Sequence, residues 1–379
     1  MSNIPFSKPT LIGKEVTYLR EAIRRGQLSG DGYFTGRCNK LIAELTGTPK
    51  ALLTHSCTAA LEMAAILCEL GPGDEVVLPS FTFVSTANAV VLRGAVPVFV
   101  DIDPQTLNID PAWAGEAITS RTRAIFAVHY AGFPAEMDTL SQIAKDRGCL
   151  LVEDAAQALG ATYKGRPCGS LGDLAAFSFH ETKNIISGEG GALAISRPEF
   201  IERAEIIREK GTNRSKFFRG QIDKYTWVDV GSSFLPGELI ASYLFAQLEM
   251  AEMINIRRLS IFDRYMEAFE ALDRSGRVRR PRWHDYNTGN GHMFYLLLQD
   301  GEDRDAFITH MRASGIGAPF HYVPLHSAPA GKRYGRTHGT LTVTDRISET
   351  LVRLPMFFEL GSHIEDVIDC ALVYFDAKE

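Results

Sequence analysis

Short continuous apolar runs alternate with helical stretches through the first two thirds of the chain. The run ALLTHS (Ala51–Ser56) leads into an apolar helix expected from about Thr58 to Leu70, and DEVVLPS leads into one near Ser85 to Leu92. VPVFVDI precedes a helix near Trp113 to Ile118, and RAIFAVHY precedes one near Met137 to Arg147. CLLVEDAA, DLAAFSF and GALAIS complete seven runs. Strands apolar on both faces and joined by helical crossovers belong to a mostly parallel α/β sheet with helices on both sides. In such sheets ligands sit beyond the carboxyl ends of the strands. That rule gathers Ser56 to Thr58, Ser80 to Phe83, His129 and Tyr130, Asp154 to Gln157, and Ser178 to Lys183 on one rim.

A helical stretch from roughly Gly237 to Phe269 follows. It is expected to lead into a smaller C-terminal α/β domain holding HMFYLLLQ, a helix near Asp303 to Ser314, APFHYVPLH and a last helix near Ile364 to Phe375. The division expected is 3–250 for the large domain and 251–379 for the small one. No internal repeat or low-complexity segment interrupts the pattern.

The totals narrow the class. The chain has 379 residues, 45% hydrophobic and 23% charged, with a formal net charge of −6. Without a basic block it has no footprint for nucleic acid. MSNIPFSKPTLIGKE lacks the basic-then-apolar order of a secretory signal. The most apolar window, Val76 to Val100, holds Pro79, Ser80, Ser85, Asn88 and Arg93, which reads as strand, helix and strand and not as a membrane span. The six cysteines are scattered without a C-x-x-C pair. That pattern suits reduced thiols in the cytoplasm and speaks against a zinc or iron–sulfur site, so no metal is expected.

Four features on the rim carry chemistry. Lys183 lies between two apolar runs, where burial is costly; a partly desolvated lysine amine is a nucleophile for aldehydes and ketones, while a solvated loop lysine would be inert. Asp154 ends an apolar run, so a buried carboxylate there calls for a cationic partner such as a pyridinium N–H, although an aspartate also suits a helix N-cap. Gln157 follows three residues on. HSCTAAL turns a strand into a helix whose free N–H groups suit a phosphate, with the Thr58 hydroxyl beside them, or simply a capped helix. Phe83 at the next strand end offers a stacking face or a core side chain. G-x-G-x-x-G after a strand, the phosphate-binding P-loop, H-E-x-x-H and G-x-S-x-G are all missing.

With VEDAAQA, YKGRPCGSLGDLAAFSFHETKN and GEGGAL in view, the chain resembles the fold-type I pyridoxal-phosphate sugar aminotransferases of the DegT/DnrJ/EryC1/StrS family. The likeness runs from SGDGYFTGR to FHYVPLH. It implies pyridoxal 5'-phosphate as cofactor, Lys183 as the residue that links to it, Asp154 at the ring nitrogen and Gln157 near the phenolic oxygen. It also implies Phe83 on the ring and Thr58, the Ala59 backbone and Ser178 around the phosphate. Members of the family are typically homodimers with shared active sites, and many carry asparagine in a GYNYR-like stretch that reaches the neighbour's phosphate. Here GSSFLPGE puts the shorter Ser233 at that place. Within the family the chain is most similar to the branch forming dTDP-4-amino-4,6-dideoxygalactose for surface polysaccharides. That likeness implies L-glutamate and a nucleotide sugar as substrates. For the nucleotide sugar, GTNRSKFFRG offers Arg214 and Arg219, either of which could equally sit on a solvated loop, and FHYVPLH offers His321, Tyr322 and His326.

Overall fold

The structure is a computed structural model that describes residues 3–377. Each of the seven apolar runs becomes a strand: β1 (Lys50–Thr54), β2 (Glu75–Pro79), β3 (Val96–Val100), β4 (Thr122–Val128), β5 (Leu150–Asp154) and, after the small hairpin β6 (Thr162–Tyr163) and β7 (Arg166–Pro167), β8 (Leu174–Ser178) and β9 (Gly191–Ile195). The C-terminal third adds β10 (Asn287–Thr288), β11 (Phe294–Leu297), β12 (Arg336–Thr337) and β13 (Leu351–Leu354). The large sheet runs β1-β9-β8-β5-β4-β2-β3-β12. Only β9 is antiparallel to its neighbours, β1 and β8; the remaining pairs are parallel.

The sheet thus has an eighth strand beyond the seven expected. β12 is two residues long and has no apolar run to announce it. Its first residue, Arg336, fastens the edge: the guanidinium donates to both carboxylate oxygens of Glu75, at 3.1 and 2.9 Å. Side chains alternate between the sheet's two faces. Leu53, Val77, Val98, Ile125, Leu151 and Ala175 enter one core, and Leu52, Val76, Phe99, Ala124, Val152 and Leu174 enter the other. Each such Val, Leu or Ile contributes about 1.5–3 kcal/mol on full burial.

The first crossover helix runs Cys57–Leu67 and is capped by Ser56, whose Oγ accepts from the Ala59 N–H. The long helical stretch is in fact two helices, Glu238–Leu248 and Ala251–Ala268. The first packs on helices Glu15–Arg25 and Tyr33–Thr46, and the second turns toward the C-terminal helix Ile364–Asp376. One straight helix could not aim its apolar side at both cores, and the break supplies the change of direction.

The third core is aromatic, with Phe262, Tyr265, Phe269, Phe294, Tyr295 and Phe307 around the two-stranded sheet β11-β13. Phe81, Tyr130 and Phe133, from the loops after β2 and β4, belong to it as well. The carboxyl rim of the large sheet is therefore built into the packing of the C-terminal third.

Candidate active site

Lys183 sits on the loop joining β8 to β9. That loop is held by its own backbone: Phe179 N–H donates to Gly190, Glu181 to Gly188 and Ser187 back to Phe179. The neighbouring Asn184 anchors it from below. Its amide donates to Asn255 Oδ1 (2.9 Å) and the Asn290 carbonyl (2.8 Å), and its oxygen meets His292 Nδ1 at 3.0 Å. The Lys183 amine itself makes no hydrogen bond or ion pair among the described residues. Burial lowers its pKa, and the Arg353 charge adds to that, against the raising pull of Cys57 and Asp154. Lowering the pKa of an amine on a fixed loop favours its use as a nucleophile and proton carrier.

Asp154 ends β5 and is 5% exposed. Its Oδ2 accepts from Thr86 Oγ1 at 2.7 Å and its Oδ1 from the Ala156 N–H at 3.2 Å. No cation pairs with it among the described residues, and burial raises its pKa in spite of those bonds. The Thr86 hydroxyl is in turn 2.9 Å from Thr82. The same β2 loop carries Phe83, the N-cap residue of helix Val84–Val91; Phe83 as a whole residue is 57% exposed.

The helix N-terminus after β1 forms a cup. Gly191 pairs with both Thr54 and Ser178. A Cβ on Gly191 would lie 2.3 Å from the Ser56 carbonyl carbon and 2.4 Å from the Cys57 nitrogen, so only glycine allows this approach. Thr58 Oγ1 is 2.7 Å from Ser85 Oγ. The Ala59 N–H already donates to Ser56 Oγ at 3.1 Å, while those of Cys57 and Thr58 have no acceptor among the described residues. An anion there would meet N–H donors at the positive end of the helix.

Gln157 spans the cleft: its oxygen accepts from the Ala131 N–H at 2.7 Å and its amide donates to Tyr322 Oη at 3.1 Å. His321 Nδ1 lies 3.1 Å from Tyr130 Oη, and burial pushes the His321 ring well below the usual histidine range. His326 is fastened to Ser80, Nδ1 to Oγ at 2.7 Å, with Nε2 3.3 Å from Asp345. Thr58, Phe83, Asp154, Gln157 and Ser178 thus stand at or just beyond the carboxyl ends of the strands, where the Asp154 charge acts on Lys183 and Gln157 meets Tyr322, which follows His321.

Arg214 and Arg219 lie elsewhere in the single chain. Arg219 pairs with Glu205 at 2.8 Å, and Glu205 pairs with Lys50 at the amino end of β1, opposite the cup. Arg214 stands 3.8 Å from Glu209 and over the Phe218 ring. Ser233 is exposed and bridges to Glu209.

His129 is a core residue. Its Nε2 is 2.9 Å from Glu153, and its Nδ1 accepts from the Ala135 N–H. Glu153 also accepts from the N–H groups of Gly169, Leu171 and Gly172, each at 2.8 Å. His129, Glu153 and Cys168 come close enough to one another to suggest a metal site. The histidine and carboxylate are already spent on hydrogen bonds.

The sequence reading missed Asn184, His292, Arg258 and Arg353. Arg353 left a trace, a single charge inside the apolar run LVRLP. Asn184, His292 and Arg258 left none, because their partners come from distant segments.

Three observations make the cleft fit pyridoxal phosphate: an unpartnered desolvated amine, a buried carboxylate without a cation, and free N–H groups in a glycine-lined cup. The profile of the DegT/DnrJ/EryC1/StrS aminotransferase family matches residues 9–371. The spore coat polysaccharide biosynthesis protein SpsC of Bacillus subtilis is 33% identical over 378 residues, covering 97% of this chain and 95% of that protein. Among solved structures, the aminotransferase TlmJ of Streptoalloteichus hindustanus matches with a TM-score of 0.90 and 32% identity over 99% of both chains. Spr1654 of Streptococcus pneumoniae, described as a sugar aminotransferase, has been solved with PLP; it matches with a TM-score of 0.91 and 28% identity over 99% of both chains.

Proposed function

The chain belongs to the DegT/DnrJ/EryC1/StrS aminotransferase family and is a pyridoxal-phosphate-dependent sugar aminotransferase, and we propose that it moves the amino group of L-glutamate to C4 of dTDP-4-keto-6-deoxy-D-glucose. The product of this reading is dTDP-4-amino-4,6-dideoxy-D-galactose. The observation that carries the chemistry is the Lys183 amine, desolvated and without a partner in a cleft that also holds Asp154. The choice of sugar rests on likeness within the family, and the name of the Bacillus subtilis relative points the same way, toward polysaccharide synthesis.

Pyridoxal phosphate, when bound, supplies an aldehyde that stores an amino group between two substrates and a ring that draws off electrons. In this reading Lys183 holds the cofactor, Asp154 faces the ring nitrogen, and the Cys57 and Thr58 N–H groups with Ser178 receive the phosphate. Phe83 covers one face of the ring, and Gln157 stands at the phenolic side. Lys183 Nζ then takes the proton from the donor carbon and later delivers one to C4 of the sugar. Thr86 orients the Asp154 carboxylate through its 2.7 Å bond. Tyr322, His321 and Tyr130 wall the cleft and exclude water from the proton transfers.

A second copy of the chain completes the site in this reading. Ser233 is exposed, and the segment before it shows Phe218, Tyr225, Trp227 (78% exposed), Val228 and Val230 to solvent. An apolar stretch of that size suits a partner surface, and burying it would bring Arg214, Arg219 and Ser233 to the partner's cleft. Proton NMR of the product tests the substrate: the H3–H4 coupling is small for the galacto isomer and large for the gluco isomer. A large coupling moves the assignment to gluco-forming enzymes, and turnover of a 3-keto sugar alone moves it to 3-aminotransferases.

A further inference from the structure

Several buried and half-buried arginines, Arg93, Arg258, Arg279 and Arg353, have no acid to answer them among the described residues, and of these Arg353 acts on Lys183. Arg208 pairs with Asp31, Arg280 with Asp273 and Arg336 with Glu75. Arg258 spends its Nε and Nη2 on the carbonyls of Gly291 and His292. Arg353 has one bond, Nη2 to the Phe320 carbonyl at 3.0 Å, and its guanidinium carbon lies 4.4 Å over the Phe6 ring. Its Nε is buried and meets no acceptor. No carboxylate pairs with it among the described residues.

Its position puts this charge at the cleft. Arg353 lies on β13 opposite Tyr295, whose ring is 6.0 Å from that of Tyr130. Its backbone N–H holds the Pro319 carbonyl, and Val352 bridges to Phe320, so strand β13 carries the segment that presents His321 and Tyr322. The Arg353 charge is felt at Lys183, His292, His321 and Tyr322. A guanidinium desolvated without an anion is costly, and its fork matches a carboxylate in a bidentate way. The anion is therefore brought by a ligand.

We propose that Arg353 binds a carboxylate of the amino donor, placing the donor's amine against the cofactor held at Lys183. The inference rests on the reading of an amino acid such as L-glutamate as donor. The nucleotide sugar has no carboxylate, so the same residue favours the donor over the acceptor in a cleft that must take both in turn.

The test uses the holoenzyme. Calorimetry measures binding of glutarate, an unreactive dicarboxylate, and the absorbance of the cofactor follows the single half-reaction with L-glutamate. Arg353→Met is expected to weaken both roughly 10- to 100-fold, the range of a charge-assisted hydrogen bond. The half-reaction of the amine-loaded enzyme with the nucleotide sugar should stay within roughly twofold, since that substrate does not use the carboxylate site. Arg353→Lys keeps the charge without the fork and should fall between; it also carries the test if the methionine variant does not fold. L-Norvaline, which has only the α-carboxylate, distinguishes the two ends of the donor: equal losses place Arg353 on the α-carboxylate, and a loss confined to L-glutamate places it on the distal one. Unchanged glutarate binding, or a loss seen only with the nucleotide sugar, overturns the proposal. If the wild type does not react with L-glutamate, the donor assignment falls first, and Arg353 is then judged on the amino acid that does react: a loss in Arg353→Met upholds it and no change overturns it.

Discussion

Asp154→Asn should change stability in opposite directions with and without cofactor. In the cofactor-free protein the carboxylate is buried and has no cation, a cost of several kcal/mol that two hydrogen bonds only partly offset. An asparagine keeps the bond from Thr86 on its oxygen. Its amide then faces the Ala156 N–H, and the lost acceptor costs about 1–3 kcal/mol. The balance favours the variant by up to about 2 kcal/mol, a rise of about 2–4 °C in Tm. The pH dependence follows from the raised folded pKa. Between the unfolded aspartate value, about 3.9, and the folded value the native state binds the extra proton, so the wild type loses stability as pH rises through that window. The variant lacks this slope. With pyridoxal phosphate bound the order reverses, because the ring nitrogen loses its anion; cofactor affinity and both half-reactions should fall by about 3–5 kcal/mol. Thermal melts of cofactor-free and loaded protein from pH 4 to 8, with turnover at pH 7.5, read all of this. A cofactor-free variant less stable than wild type, together with near-normal turnover, would show that Asp154 is only a structural cap.

Borohydride reduction of the yellow enzyme should bleach it and leave the mass adduct on Lys183, with Lys183→Ala inactive; an adduct on Lys164 or Lys210 refutes the assignment. Gly191→Ala must displace the Ser56–Cys57 backbone and should cost about 1–3 kcal/mol of stability as overpacking, along with tight phosphate binding, measured by melting and by cofactor release on dialysis. Glu75 would be raised by burial alone, but Arg336, Thr119 and Arg121 hold it at about 2. The folded pKa is depressed, so its contribution is present above the unfolded value and is lost as pH falls toward 2; Glu75→Gln should cost about 3–5 kcal/mol at pH 7 in chemical denaturation and flatten the acid limb. Dilution of the holoenzyme should release cofactor if Ser233 serves the neighbour's phosphate, and full activity in a monomer would count against it.

The seven strands of the sheet and the segments at its carboxyl rim were legible in the chain because continuous apolar runs with helical crossovers have few other ways to bury both faces. Lys183, Asp154 and the helix N-terminus at Ser56 were legible for a related reason: each stands where an apolar run stops, and a costly or polar residue at a strand end needs a use. The eighth strand was not, since two residues beside Glu75 carry no pattern. Nor was the division of one helical stretch into two, which depends on where two separate cores lie. The network of Asn184, Asn255, Asn290 and His292 joins segments about a hundred residues apart, and no local spacing encodes such a meeting. Arg353 shows the boundary most clearly. The sequence placed a charge in an apolar strand, but only the tertiary structure decided that no acid would come to meet it, because pairing depends on which side chains the fold brings within about 4 Å.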